Sequence, residues 1–203
     1  MTDAGDEPPA ETDAEWPVDL AGVTETVVTT RGPNELWNAA ALGVFAGADE
    51  ANAATATTWG NTRTRRNFHR EGEGYVQFVD DPITFVNAAL TIDEHDDPVL
   101  EHAAAWTRVA VERIDSGTEN GTEWEQWRLE PLETTIKRET VPTISRGFGA
   151  VIEATVATSR LGVAGYDDAE LRDRLAFFES VVERAGSPRE QAALERVREH
   201  AEW

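Results

Sequence analysis

Valine and threonine crowd the stretch VTETVVTT at 23–30, and RGPNE follows it with turn residues. β-branched residues favour extended backbone, and Gly, Pro and Asn favour reversal, so the pattern predicts a hairpin. Its returning strand, 38–44, is rich in alanine and carries Gly43 inside. Such a strand lets a flat ligand approach closely, or equally a helix or another strand. NAATATTW at 52–59 reads as a third strand. GNTRTRRNFHREGEG then reads as a short helix, capped by Asn61 or Thr62 and closed by Gly72 or Gly74. In GYVQFVDDP, Val76 and Phe78 share one strand face, and Tyr75, Gln77 and Val79 share the other. Asp81 and Pro82 suit the cap and first position of a further helix.

HDDPVLEHAA at 95–104 reads as a polar connection. The stretch 105–139 predicts a long hairpin with SGTENG as its loop and with Trp106, Trp124 and Trp127 covering its apolar face. From about residue 144 the period becomes helical. One helix runs to Gly162 or soon after. A second places Leu171, Leu175, Phe178 and Val182 on one stripe, with Gly186 suited to the position just past its end. SPRE at 187–190 is a capping box for a last helix carrying Leu194 and Val197. The expected organisation is a disordered acidic tail over 1–20, a β-rich domain over 21–143 and a helical segment, read as a hairpin, over 144–203.

Charge changes the picture next. Asp and Glu number 39 against 18 basic residues, a formal net charge of −21, and Lys137 is the only lysine. The acids are spread along the whole chain, which points to a salt-rich cytoplasm, as in halophilic archaea, where salt screens self-repulsion. General nucleic-acid binding is not expected of so acidic a chain. Hydrophobic residues make up 40%, enough for a packed core, and no apolar run nears the roughly 20 residues of a membrane span. The acidic opening stretch lacks the basic and apolar regions of a secretory signal. A cytoplasmic protein without membrane contact is expected, and the absence of cysteine removes disulfides and thiolate sites.

Candidate chemistry is sparse. The four histidines form no tight metal-ligand grouping, DEHDD at 93–97 reads as a solvated loop, and no metal site is expected. There is no phosphate-binding loop of the P-loop or dinucleotide type, and no nucleophile elbow. No side chain stands out as a general acid or base, so catalytic residues are unassigned. What stands out is Arg63, Arg65, Arg66 and Arg70 within eight positions. Arg63, at a helix start beside Asn61 and Thr62, suits an anion. Arg66 and Arg70 are expected to pair with carboxylates, and Arg65 to point elsewhere.

Four motifs in order, TTRGPNELWNAAALGV, TWGNTRTRRNF, FVDDPITF and AVIEATVATSRL, resemble the archaeal family catalogued as domain of unknown function 447. The resemblance covers roughly residues 20–165. That family resembles the flavin reductase and pyridoxamine-phosphate-oxidase-like split barrels. It implies a mainly β fold with helices, a six-stranded split β-barrel that forms a homodimer and binds FMN in the interface groove. The phosphate would lie near the turn and helix after the third strand. Carried onto this chain, the FMN contacts would be Asn38, Ala39, Ala40, Leu42 and Gly43 along the ring, with Thr57, Thr58, Asn61, Thr62 and Arg63 at the phosphate. Gln77 stands where the relatives suggest Asn, and Ala41-Leu42 where they suggest Pro-Met. The implied function is a flavin-dependent oxidoreductase, with NADH or NADPH a possible reductant. A non-catalytic flavin carrier, sensor or store is the alternative, followed by a polyanion-binding protein and a purely structural dimer.

Overall fold

A computed structural model describes residues 14–47, 53–201 and 203. Seven strands and five helices follow in the order β1 (Val23–Arg31), β2 (Trp37–Ala46), β3 (Ala54–Trp59), α1 (Arg63–Glu71), β4 (Glu73–Val79), α2 (Pro82–Leu90), β5 (Asp93–His95), β6 (Ala103–Glu119), β7 (Thr122–Ile136), α3 (Arg146–Arg160), α4 (Asp168–Ala185) and α5 (Pro188–Arg198). The first six long strands run antiparallel in the order β1-β4-β6-β7-β3-β2, and β2 pairs back onto β1. The sheet therefore closes into a six-stranded barrel, the split-barrel architecture expected. No helix of the described residues is long and apolar enough to cross a membrane.

Alternation assigns each strand residue to one of two layers. Val28, Leu42, Val44, Ala54, Ala56, Val76, Val109, Trp127 and Leu129 point inward, and Phe68 of α1 plugs them. Val27 and Ala39 point outward, and Phe85 and Ala88 of α2 cover them together with Leu100. Val86, on the opposite side of α2, joins a third core with α3, α4 and α5. So α2 is the hinge plate between barrel and helices, buried on both flanks.

Local signals account for most elements. Thr62 caps α1 by accepting from the Arg65 amide, and Gly72 closes it with φ of 68°. Asp81 caps α2 and Pro82 opens it. Ser187 and Glu190 form the capping box of α5. Trp16 packs edge-on to Phe78, and the Glu15 carbonyl accepts from Thr134. The remainder of the expected tail, 1–13, lies outside the described residues.

Several expectations need correction. The β6–β7 strands continue through Ser116 and Gly117, and only Asn120 and Gly121 turn, with φ of 49° and 82°. A two-residue turn with both φ positive matches the strand twist, and Asn-Gly suits it best. The three tryptophans do not share a face: Trp127 is in the barrel, while Trp106 sits outside against Tyr75. Odd and even positions of adjacent strands fix this. The short β5, which pairs with β2, lies partly in the stretch read as a connection. The helical segment holds the three helices read from the sequence, α3, α4 and α5, one more than a simple hairpin contains. Gly186 ends α4 as expected, with extended backbone, φ −82° and ψ 143°.

Candidate functional site

The N-terminal half of α3 packs Phe148 and Ile152 onto the outer barrel face. Its C-terminal half does not close the gap. A cavity of about 730 Å³ is left there, within the range of sites for small organic ligands. Ala41 and Gly43 of β2 and Thr57 of β3 form its floor, and Phe85 and Ala88 of α2 line one wall. Thr155, Ser159 and Arg160 of α3 line another. Asn120 and Thr122 of the β6–β7 turn close one end with Tyr166.

The floor is flat because its side chains are small. Gly43 pairs with Glu25 across the β1–β2 ladder. A Cβ on Gly43 would lie 2.9 Å from Val23 Cγ1. Glu25 therefore reaches the cavity beside a residue that offers only backbone. Burial pushes the Glu25 carboxyl above its ordinary value, and the Glu153 charge on α3 adds to the rise.

The residues expected to contact a ligand divide into three groups. Ala40, Leu42, Gly43, Thr57, Thr58 and Thr62 line the cavity. Of these, Leu42 turns its side chain into the barrel, and the Thr58 hydroxyl accepts from the Trp127 indole at 2.9 Å. Asn38 and Ala39 are buried and do not line it; Ala39 lies beneath Phe85 and Ala88. Asn61 and Arg63 also lie outside the lining. The Asn61 carbonyl and side-chain oxygen accept from Arg66 at 2.7 and 3.1 Å. Arg63 is ion-paired to Glu94 at 2.6 Å.

The other arginines are explained by their partners. Arg70 donates to Glu71 and to the Arg31 carbonyl. Arg66 departs from expectation, since it donates to Asn61 and not to a carboxylate. Arg65 turns away from the cavity to Glu125, bonding both carboxylate oxygens at 2.9 and 3.0 Å. His69 at 2.7 Å and Arg113 at 3.3 Å complete the ring around Glu125. Burial alone would raise the Glu125 carboxyl, but bonds from His69, Arg65 and Arg113 outweigh it and hold it below the usual range. This network bolts α1 to β7 and so sets where Thr62 meets the cavity.

Gln77 has a separate task. It is buried, donates to Thr29 and the Pro98 carbonyl at 2.9 Å each, and accepts from the Leu100 amide at 2.7 Å. It anchors the 96–101 loop to the outer barrel face.

Among the lining residues that escaped the sequence reading are Glu25, Arg160 and Tyr166. Arg160 closes the last turn of α3, where a cation is ordinary because it complements the helix dipole. Its guanidinium lies over the Tyr166 ring, 5.2 Å from the centroid. Only the fold shows that both face a cavity.

The family described as "Protein of unknown function (DUF447) N-terminal domain" matches residues 24–138, and its companion "Protein of unknown function (DUF447)" matches 145–199. Among solved structures, an FMN-bound protein of that family from Methanosarcina mazei is similar at a TM-score of 0.73, with 23% identity, covering 89% of this chain and 95% of that one. The 2-nitrobenzoate 2-nitroreductase of Pseudomonas fluorescens is similar at 0.47, with 14% identity over 59% of this chain and 67% of that one. Nitrilotriacetate monooxygenase component B of Bacillus cereus is similar at 0.44, with 14% identity over 67% and 82%.

Proposed function

Since the chain belongs to the DUF447 family, we propose that it is an FMN-binding homodimer that works as a flavin-dependent oxidoreductase. The observation that carries this reading is the cavity itself, with its flat floor at Ala41, Gly43 and Thr57 and a polar end at Asn120, Thr122 and Arg160. Its size and shape suit a planar ring bearing a charged tail. The FMN in the Methanosarcina relative supports the same ligand.

FMN, when bound, supplies the hydride and electron chemistry. The chain's own residues bind and orient it. Backbone groups of Ala40, Leu42 and Gly43 would meet the ring, and Thr57 and Thr62 would offer hydroxyls to the tail. Thr58 contributes backbone, because its hydroxyl is engaged with Trp127. Asn38 and Ala39 would act from beneath, by shaping the strand. Asn61 would hold the turn before α1 through Arg66, and Arg63 would reach a ligand only by releasing Glu94. Phe85 and Ala88 exclude water from one side. Glu25, whose carboxyl is raised above its ordinary value by burial and by the Glu153 charge, lines the same cavity.

The polyanion reading, which used Arg63, Arg66 and Arg70, is weakened, since Arg63 and Arg70 are each engaged with a carboxylate and Arg66 with Asn61. The carrier reading is separated from the oxidoreductase by one experiment. The protein, loaded with FMN in about 1 M salt, is mixed anaerobically with NADH or NADPH. Bleaching of the flavin absorbance by either nucleotide is the expected result. A flavin that binds but is reduced by neither would support the carrier.

The dimer rests on exposed apolar side chains. Ile136, Val141 and Ile144 stand in solvent along the connection from β7 to α3, and Ile144 is fully exposed. Apolar groups so placed mark a contact surface. Light scattering should give about twice the 22.3 kDa chain mass. A monomer that still binds FMN would refute the homodimer and leave the cavity reading intact.

A further inference from the structure

We propose that Arg160, supplied by the helical segment, is the cation that receives the phosphate of the flavin. The C-terminal helices thereby complete the cofactor site. This rests on the flavin reading above and goes beyond it, because the sequence had placed that role on Arg63.

The first observation is the distribution of ion pairs. In a chain with 39 acids, most arginines of the described residues have a carboxylate within 4.0 Å, Arg63 among them. Arg160 lines the cavity and has no carboxylate partner among the described residues; its contact is the Tyr166 ring. A guanidinium over a ring face keeps its N–H edge available for a bidentate acceptor. Leaving such a group unpaired in so acidic a protein makes sense if its partner is the ligand.

The second observation is position. Gly60 donates to the Glu123 carbonyl at 2.7 Å, which sets the β6–β7 turn beside the segment leading to Thr62. Beyond it, a Cβ on Gly165 would lie 2.9 Å from the Asn120 Cβ, so the α3–α4 loop meets that turn. Arg160, Tyr166, Asn120, Thr122 and Thr62 therefore gather at one end of the cavity. Glu25 stands toward the other, beside Glu153. Seven residues of α3 separate Glu153 from Arg160, about 10 Å at about 1.5 Å per residue. Glu119 also lines the turn end, but Arg160 is the only lining cation among the described residues, so a phosphate-bearing ligand is oriented with its phosphate there and its ring over Gly43.

The test compares FMN with riboflavin, which lacks the phosphate. Dissociation constants for both are measured by flavin fluorescence in one high-salt buffer for the wild type, Arg160→Gln, Arg160→Lys and Arg63→Ala. Arg160→Gln should weaken FMN about ten- to hundredfold and leave riboflavin unchanged. Arg160→Lys should recover part of the loss, and Arg63→Ala should change the ratio less than Arg160→Gln. An unchanged FMN-to-riboflavin ratio in Arg160→Gln, or a larger loss in Arg63→Ala, would overturn the assignment. If the wild type binds neither flavin, the flavin reading fails. Inorganic pyrophosphate then tests the arginine alone: a melting shift in the wild type absent from Arg160→Gln upholds the anion site, and equal shifts, or none, overturn it.

Discussion

Replacing Arg65 with alanine is expected to destabilise the fold more than any other substitution in the arginine cluster, because it takes two bonds from a buried carboxylate. Glu125 is 2% exposed, and Arg65 bonds both of its oxygens. Without Arg65 the carboxylate keeps only His69 and the more exposed Arg113. Arg70→Ala, in contrast, removes a pair on the surface and should cost no more than about 1 kcal/mol. Acid should reveal the same network. The folded Glu125 carboxyl is held below its usual value, so its contribution is present above the unfolded value, about 4.3. It is lost as pH falls through the lower folded value, and Arg65→Ala should flatten that part of the profile. Urea unfolding at fixed salt, near pH 7 and in steps below about pH 4, measures both effects. A loss under about 1 kcal/mol at neutral pH would show that α1 is held by packing alone.

Gly43→Trp should weaken FMN by about a hundredfold or more while the protein still folds. An aromatic ring system buries roughly 150–250 Å². At about 25 cal/mol per Å², losing one face of that contact removes about 2–3 kcal/mol, and the indole takes up cavity space besides. Gly43 and Ala41 face the same cavity from one strand, so Ala41→Trp serves as an independent check. Isothermal titration, with melting temperatures alongside, separates blocked binding from a damaged fold. Wild-type affinity in both variants would place the flavin elsewhere.

Much of the fold was legible where the signals are local. Thr62, Asp81 and Ser187 cap helices through bonds that span three residues, and the β1–β2 hairpin is written in one short turn. Distant pairings were not legible. Arg63 meets Glu94 on a three-residue strand too short to carry a period. Glu125 meets Arg65 from sixty residues away, so the most consequential arginine of the cluster read as one pointing elsewhere. Trp106 and Trp124 were grouped with Trp127 by composition, although strand parity and a longer ladder separate them. Part of the candidate site was legible through the small-residue strand and Thr57 to Thr62. Its far wall was not, because Arg160 faces β2 only after α3 folds back over α2.

The most direct measurement is an equilibrium titration of FMN with the wild-type protein in about 1 M salt, followed by flavin fluorescence, with riboflavin run beside it. Saturable quenching at one FMN per chain, at least tenfold tighter than riboflavin, is the expected result. No saturable binding, or equal affinity for the two, would contradict a phosphate-anchored flavin in the cavity between barrel and helices.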